Sequence, residues 1–215
     1  MKAHIFDLDG TLIDSMGVWV DIDRTFLSKR GIPMPPANEY EKFVANTIPL
    51  TPLESAAHVI KHFGLKEKPE EVMAEYNKHA LKAYSSTVKL KVGAKRFLQS
   101  LREKGTKLSI ATSAPTSLCI AALKNHGITN IFDAICMSEE VGFGKFRPDI
   151  FLLAAKRLDV RPEDCIVYDD NLTAIKTAKS IGMTTCGVYD ESSEKEWAEI
   201  EQAADFVIRG FDELL

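Results

Sequence analysis

Asp7 and Asp9 stand two residues apart at the end of an apolar run, in Ile5-Phe6-Asp7-Leu8-Asp9-Gly10-Thr11-Leu12-Ile13-Asp14. A strand that stops there and turns at Gly10-Thr11 would hold both carboxylates at one sheet edge. One suits nucleophilic attack and the other proton transfer. Three further polar groups follow short apolar runs later in the chain. Thr112-Ser113 follows residues 108–111. Lys145 follows residues 134–137 and a loop with Gly142 and Gly144, and Asp169-Asp170 follows residues 165–168. In an open α/β sheet that strand edge is where ligands bind.

The chemistry of these groups is complementary. Asp7, Asp169 and Asp170 are hard oxygen donors that repel one another without a cation. Mg²⁺ suits them, because it takes a few carboxylates and fills its remaining sites with water and phosphate. Lys145 would add positive charge beside a transferring phosphoryl group. The Thr112 hydroxyl and the backbone N–H groups after Asp7 and Thr112 would cradle phosphate oxygens. Asp9 would protonate a leaving oxygen, then take a proton from an attacking water.

The elements that must position these residues have two textures. From about residue 88 onward, short runs apolar on both faces alternate with helical patterns, as in a parallel sheet covered by helices. Gly105, Gly127 and Gly182 each follow a helical pattern, where a C-terminal cap belongs. Pro115 and Pro148 fall where first-turn prolines are tolerated. Residues 15–87 carry no convincing strand. Val18, Ile22, Phe26 and Leu27 recur at helical spacing with Gly31 as the stop, and Val72, Tyr76, His79, Ala80 and Ala83 do the same. The expected fold is α/β: a doubly wound, mainly parallel sheet from residues 1–15 and 88–215, with an all-helical domain inserted at 16–87. Asp14 reads as part of the first crossing between them rather than as a third catalytic acid.

In this order, Asp7-Leu8-Asp9-Gly10-Thr11, Thr112-Ser113, Lys145 and Asp169-Asp170 resemble the four motifs of the haloacid dehalogenase superfamily, and the helical insertion resembles its C1 cap. The chain looks similar to the phosphoglycolate phosphatase and β-phosphoglucomutase branch. The resemblance implies that Asp7 is the nucleophile and a metal ligand, and that Asp9 is the acid/base with its backbone carbonyl on the metal. It implies that Thr112 binds phosphate, that Lys145 orients nucleophile and phosphate, and that Asp170 is a metal ligand with Asp169 acting directly or through water. The acid at position 9 implies phosphate ester chemistry, because members that cleave carbon–halogen or carbon–phosphorus bonds typically lack it. Members of the mutase branch carry a cap histidine ten residues after that acid. Trp19 stands here instead, which favours a hydrolase over a mutase. Two departures concern the scaffold: Gly144-Lys145-Phe146-Arg147-Pro148 replaces the usual Gly-Lys-Pro-x-Pro, and Asp170-Asn171 is followed by Ala174 rather than glycine. The segment 46–51 corresponds in position to the cap loop that reads substrate, so Trp19, Asn46 and Thr47 join Ser113 as expected substrate contacts.

A formal net charge of -4 gives no electrostatic case for nucleic acid. Cys119, Cys136, Cys165 and Cys186 lie far apart in apolar stretches and read as buried thiols rather than zinc ligands or disulfides. His58 and His62 stand four apart on an expected helix without further ligands, which is weak support for a metal. No apolar run is long enough to span a bilayer, and no signal peptide precedes the first strand. The expectation is therefore a cytoplasmic, Mg²⁺-dependent phosphatase acting on a small phosphorylated metabolite, a sugar phosphate or similar monoester. It would be a monomer or weak dimer with no nucleic-acid or membrane partner. The alternatives are a β-phosphoglucomutase-like mutase, a phosphoacceptor and an idle binding protein. A phosphoacceptor would carry its acidic pair first in the chain rather than last.

Overall fold

The computed structural model describes residues 2–47 and 52–215. The chain divides into two compact units, Met1–Met16 with Tyr84–Leu215, and Gly17–Ala83. Among the described residues, the strands all belong to the first unit. They are β1 (Ala3–Phe6), β2 (Ile13–Asp14), β3 (Lys89–Leu90), β4 (Lys107–Thr112), β5 (Ala134–Met137), β6 (Cys165–Asp169), β7 (Thr184–Val188) and β8 (Phe206–Ile208). Six of them form one sheet in the order β5-β4-β1-β6-β7-β8, with every neighbouring pair parallel. The chain grows outward from β1 through β4 to β5, then crosses back and grows the other way through β6, β7 and β8. The order therefore reverses at β1, and such a reversal opens a crevice at the strands' C-terminal ends. β2 and β3 pair separately as a two-stranded antiparallel ribbon, Ile13 with Leu90 and Asp14 with Lys89. Neither was expected from the sequence, because two residues are too few to show a period.

The helices of the second unit are α1 (Met16–Ser28), α2 (Ala37–Thr47), α3 (Pro52–Phe63) and α4 (Pro69–Tyr84), the first and last reaching into the chain crossings. Phe26, Leu27, Phe43, Ala56, Val59 and Val72 form their own core. Asp23 of α1 is buried within this unit, and it accepts hydrogen bonds from Tyr40 of α2 at 2.5 Å and from Tyr76 of α4. This clasp joins three helices through one carboxylate, and burial raises its pKa despite the two hydroxyls. His58 stacks on His62 and on Phe43, and His62 meets Phe43 at a tilt.

The helices of the first unit are α5 (Ala94–Glu103), α6 (Thr116–Asn125), α7 (Ser138–Val141), α8 (Asp149–Arg157), α9 (Leu172–Ser180) and α10 (Trp197–Ala203). Gly105, Gly127 and Gly182 take positive φ after α5, α6 and α9, as their role in helix termination requires. Pro115 and Pro148 sit one residue earlier than the first turn, as the residues that precede α6 and α8. All four residues of β1 are buried. Ala3 and Ile5 pack on one face with Ile150, Phe151, Ala154 and Val167. On the other, Phe6 stacks on Tyr168 at 4.6 Å and meets Phe97 and Phe211. Burial on both faces explains the continuous apolar run that marks this strand in the sequence.

His4 lies in that aromatic layer, 8% exposed, with the Tyr168 hydroxyl 3.0 Å from its Nδ1. Burial, reinforced by nearby Lys104, lowers its pKa from 6.5 to about 4. Between those values the folded ring stays neutral while the unfolded ring is protonated, so stability is complete above about pH 6.5 and drains away as the pH falls towards 4. The full difference is about 3 kcal/mol. Urea unfolding from pH 7 to pH 4.5 is expected to fall less steeply in His4→Phe than in wild type; parallel curves would rule out this ring as the source.

Candidate active site

Phe6 pairs with Ile110 of β4 on one side and Tyr168 of β6 on the other. Asp7 is thus the residue at which the central strand leaves the sheet, and its N–H donates to the Tyr168 carbonyl at 2.9 Å. Thr112 closes β4 and Asp169 closes β6, so the register brings Asp7, Thr112 and Asp169 to the same edge. Asp7, Asp169 and Asp170 are all buried, and each offers an oxygen within 4.8 Å of the others. The Lys145 ammonium sits 2.5 Å from Asp7 Oδ1 and 2.8 Å from Asp169 Oδ2, with its side chain 11% exposed.

The electrostatics follow from that crowding. Burial, with Asp7 adding repulsion against the pull of Lys145, pushes Asp169 up to about 6. Burial and the neighbouring Asp169 and Asp7 carry Asp170 well above the usual carboxylate range. Burial alone would lower Lys145, but Asp169 and Asp7 override it and hold the ammonium charged. Three carboxylates against one ammonium leave two negative charges on these four groups when all are ionised. Hard oxygen donors at this spacing, with two charges to balance, fit a dication such as Mg²⁺.

The turn after β1 is fixed by its own backbone. Leu12 and Ile13 N–H groups both donate to the Leu8 carbonyl, and Gly10 N–H donates to Ile13. Gly10 has φ +75, and a Cβ there would lie 2.5 Å from Asp170 Oδ2. Glycine lets the turn approach the carboxylate, and Thr11 then donates its hydroxyl to Asp170 Oδ1 at 2.9 Å. Asp9 is half-buried at the same turn. Its Oδ1 accepts from Ser15 Oγ and from the Tyr84 hydroxyl, each at 2.5 Å. Burial raises the Asp9 pKa while those two hydroxyls pull it back. The net upward shift is in the direction that a proton-delivering carboxyl group needs.

Thr112 is buried, and its Oγ1 accepts from the Ala114 N–H at 3.0 Å, which leaves its own hydrogen to donate. Ser113 is exposed and pairs with Ser138 Oγ at 2.8 Å. Lys145 follows the short helix α7, which the sequence showed only as a loop. Beyond it Phe146 is exposed, and the Arg147 guanidinium lies over the Phe143 ring at 3.8 Å while pairing with Asp149. Asn171 caps α9 by accepting from Thr173 and Ala174, and Asp169 Oδ1 accepts from the Asn171 N–H, so the acidic pair is tied to the start of that helix. The four cysteines are buried and free, and burial pushes the Cys119 thiol up to about 12, where it stays protonated.

Trp19, Asn46 and Thr47 belong to the helical unit. Trp19 is 37% exposed on α1, Asn46 is exposed on α2, and Thr47 Oγ1 donates to the Val44 carbonyl. Residues 48–51 of the expected substrate-reading loop lie outside the described residues. Thr11, Ser15 and Tyr84 contact site carboxylates without having been picked out as site residues from the sequence. Thr11 lies within the Asp7-Leu8-Asp9-Gly10-Thr11 motif. Tyr84 stands 75 positions from Asp9, and nothing local links them.

The sequence pattern of the haloacid dehalogenase-like hydrolases matches residues 4–188. The chain is 33% identical over 86% of its length to the bifunctional riboflavin kinase/FMN phosphatase of Arabidopsis thaliana. It covers 47% of that relative, about half its length. It is 27% identical to the phosphorylated carbohydrates phosphatase of Thermotoga maritima, over 85% of this chain and 82% of the relative. Among solved structures, a candidate β-phosphoglucomutase from Thermotoga maritima superposes with a TM-score of 0.83 at 25% identity, covering 97% of this chain and 94% of the other. With four motifs gathered at one sheet edge and a family match across most of its length, the chain belongs to the haloacid dehalogenase-like hydrolases.

Proposed function

We propose that this protein is a Mg²⁺-dependent phosphatase that hydrolyses a small phosphorylated metabolite through an aspartyl-phosphate on Asp7. The observation that carries the reading is the buried trio of carboxylates with Lys145 set between Asp7 and Asp169. Asp7, Asp170, Asp169 and the Asp9 carbonyl would hold the ion, which supplies charge neutralisation and orientation for the phosphoryl group. Asp7 attacks phosphorus as the ester P–O bond breaks. Asp9 gives its proton to the departing oxygen, and the Thr112 hydroxyl and Lys145 hold the phosphoryl oxygens. Water then attacks the acyl phosphate, loses a proton to Asp9, and frees both phosphate and Asp7.

We assign substrate selection to residues 16–87, with Trp19, Asn46, Thr47 and Ser113 as contacts. The substrate class is a sugar phosphate or similar hydroxylated monoester. Relatives named as phosphatases of phosphorylated carbohydrates and of hexitols support that class. Trp19, at the place of the mutase histidine, favours release of phosphate over its return to a second hydroxyl.

The test is phosphate release across a metabolite panel, with and without Mg²⁺. Activity that survives stripping of divalent ions would remove the metal from the reading. A panel in which sugar phosphates all fail while nucleotides or amino acid phosphates succeed would remove the substrate class. Conversion of a sugar 1-phosphate to its 6-phosphate without free phosphate would make it a mutase. Metal binding also has an expected pH dependence. Asp169, pushed up to about 6, and Asp170, also raised well above the usual carboxylate range, must lose their protons before they ligate. The thermal stabilisation given by Mg²⁺ is therefore expected to grow from pH 5 to pH 7.5. A stabilisation independent of pH would place the ion elsewhere.

A further inference from the structure

Tyr84 is 1% exposed, and its hydroxyl is 2.5 Å from Asp9 Oδ1. Ser15, fully buried, donates to the same oxygen. The two residues come from opposite ends of the inserted segment. The chain leaves the α/β unit after Met16 and re-enters it at Tyr84, the last residue of α4. Each crossing thus contributes one hydroxyl to one carboxylate oxygen. We infer that Tyr84, with Ser15, forms a clamp that fixes the Asp9 carboxyl group in the orientation needed for proton delivery.

The terminal torsion of an aspartate is broad and has no sharp rotamer, so an unheld carboxyl group swings. Two donors on one oxygen remove that freedom. Tyrosine is the stiffer of the pair, because two torsions place its hydroxyl at the end of a rigid ring. A buried tyrosine hydroxyl also needs a partner, so it follows Asp9 rather than solvent. Orientation matters here because proton transfer depends on near-contact geometry, and a misplacement of about 1 Å costs on the order of 100-fold in rate. Tyr84 is accordingly a positioning residue. It acts through Asp9, and the inference rests on the reading of Asp9 as the acid that protonates the departing oxygen.

The experiment separates positioning from general structural support by changing the leaving group. In the Mg²⁺-loaded enzyme, kcat/KM is measured with p-nitrophenyl phosphate, whose leaving group departs as a stable anion, and with the alkyl monoester that wild type hydrolyses fastest. Tyr84→Phe is expected to shift the ratio of the two values at least ~10-fold against the alkyl ester, up to the ~10²–10⁴-fold that acid catalysis as a whole supplies. Ser15→Ala should shift it in the same direction. It also tests the clamp on the same oxygen if Tyr84→Phe fails to fold. Equal losses on both substrates, or no loss on either, in both folded variants would overturn the clamp. Asp9→Asn in parallel tells the two levels apart. If it shows the selective loss and the clamp variants do not, the clamp is wrong and the acid assignment stands. If it too loses both activities equally, the acid assignment fails and the clamp fails with it.

Discussion

In Asp7→Asn, phosphate release is expected to fall at least ~10⁴-fold while the protein still folds, because loss of a nucleophile removes the covalent route itself. The substitution is nearly isosteric, and the side chain it changes is 11% exposed. An amide cannot form the acyl phosphate, so no rearrangement of neighbouring groups restores the step. Lys145 keeps its second partner, Asp169, at 2.8 Å, so the ammonium is not stranded. The metal-free variant should melt no lower than wild type, since one member of a mutually repelling trio has been neutralised. Wild type mixed with substrate and quenched in acid should carry a phosphoryl group on the peptide containing residue 7, and the variant none. A variant that retains activity within about tenfold of wild type would end the assignment of Asp7 as nucleophile.

The parts of this arrangement that the sequence revealed are those with a local signature. Strands buried on both faces are continuous apolar runs, which is why β5 is expected and found over residues 134–137, while the runs at 108–111 and 165–168 are found one residue longer at one or both ends, as β4 and β6. The glycines that end α5, α6 and α9 are legible because positive φ selects glycine. Asp7, Thr112 and Asp169 are legible because a residue that ends a buried run must leave the sheet, and parallel register then gathers such residues at one edge. Contacts across long separations have no such signature. The hydroxyl of Tyr84 reaches back 75 residues to Asp9, and that of Thr11 reaches forward 159 to Asp170. The ribbon of β2 and β3 is hidden for another reason: its pairing is set by where the chain crosses between units, not by side-chain period. Asp23 shows the limit from the other side. A charged residue on a helix ordinarily reads as solvated, yet Tyr40 and Tyr76 hold this one inside the helical unit.

Lys145→Met separates the two things a buried lysine could do among carboxylates. Methionine keeps the length of the stem and removes the charge. Activity is expected to fall ~10²–10³-fold, the usual cost of deleting one group that stabilises developing charge. Mg²⁺ binding should move the opposite way. With the ammonium gone from its place 2.5 Å from Asp7 and 2.8 Å from Asp169, the trio has lost its internal counter-charge, and a dication should bind more tightly. The metal-free protein should report the same loss through pH. Asp169 already has a folded pKa of about 6, raised above its unfolded value. A carboxyl group raised in this way gives its stability below the unfolded pKa and loses it as the pH climbs through the folded one. Without Lys145 that pKa rises further, so the metal-free variant should lose more stability between pH 5 and pH 8 than wild type does. Calorimetric titration with Mg²⁺ and melting in EDTA read the two effects independently. Weaker Mg²⁺ binding in the variant would mean that Lys145 props the carboxylates in place and that its charge is incidental to them. Tighter binding with crippled turnover would mean that the charge serves the phosphoryl group, at a standing cost to metal affinity.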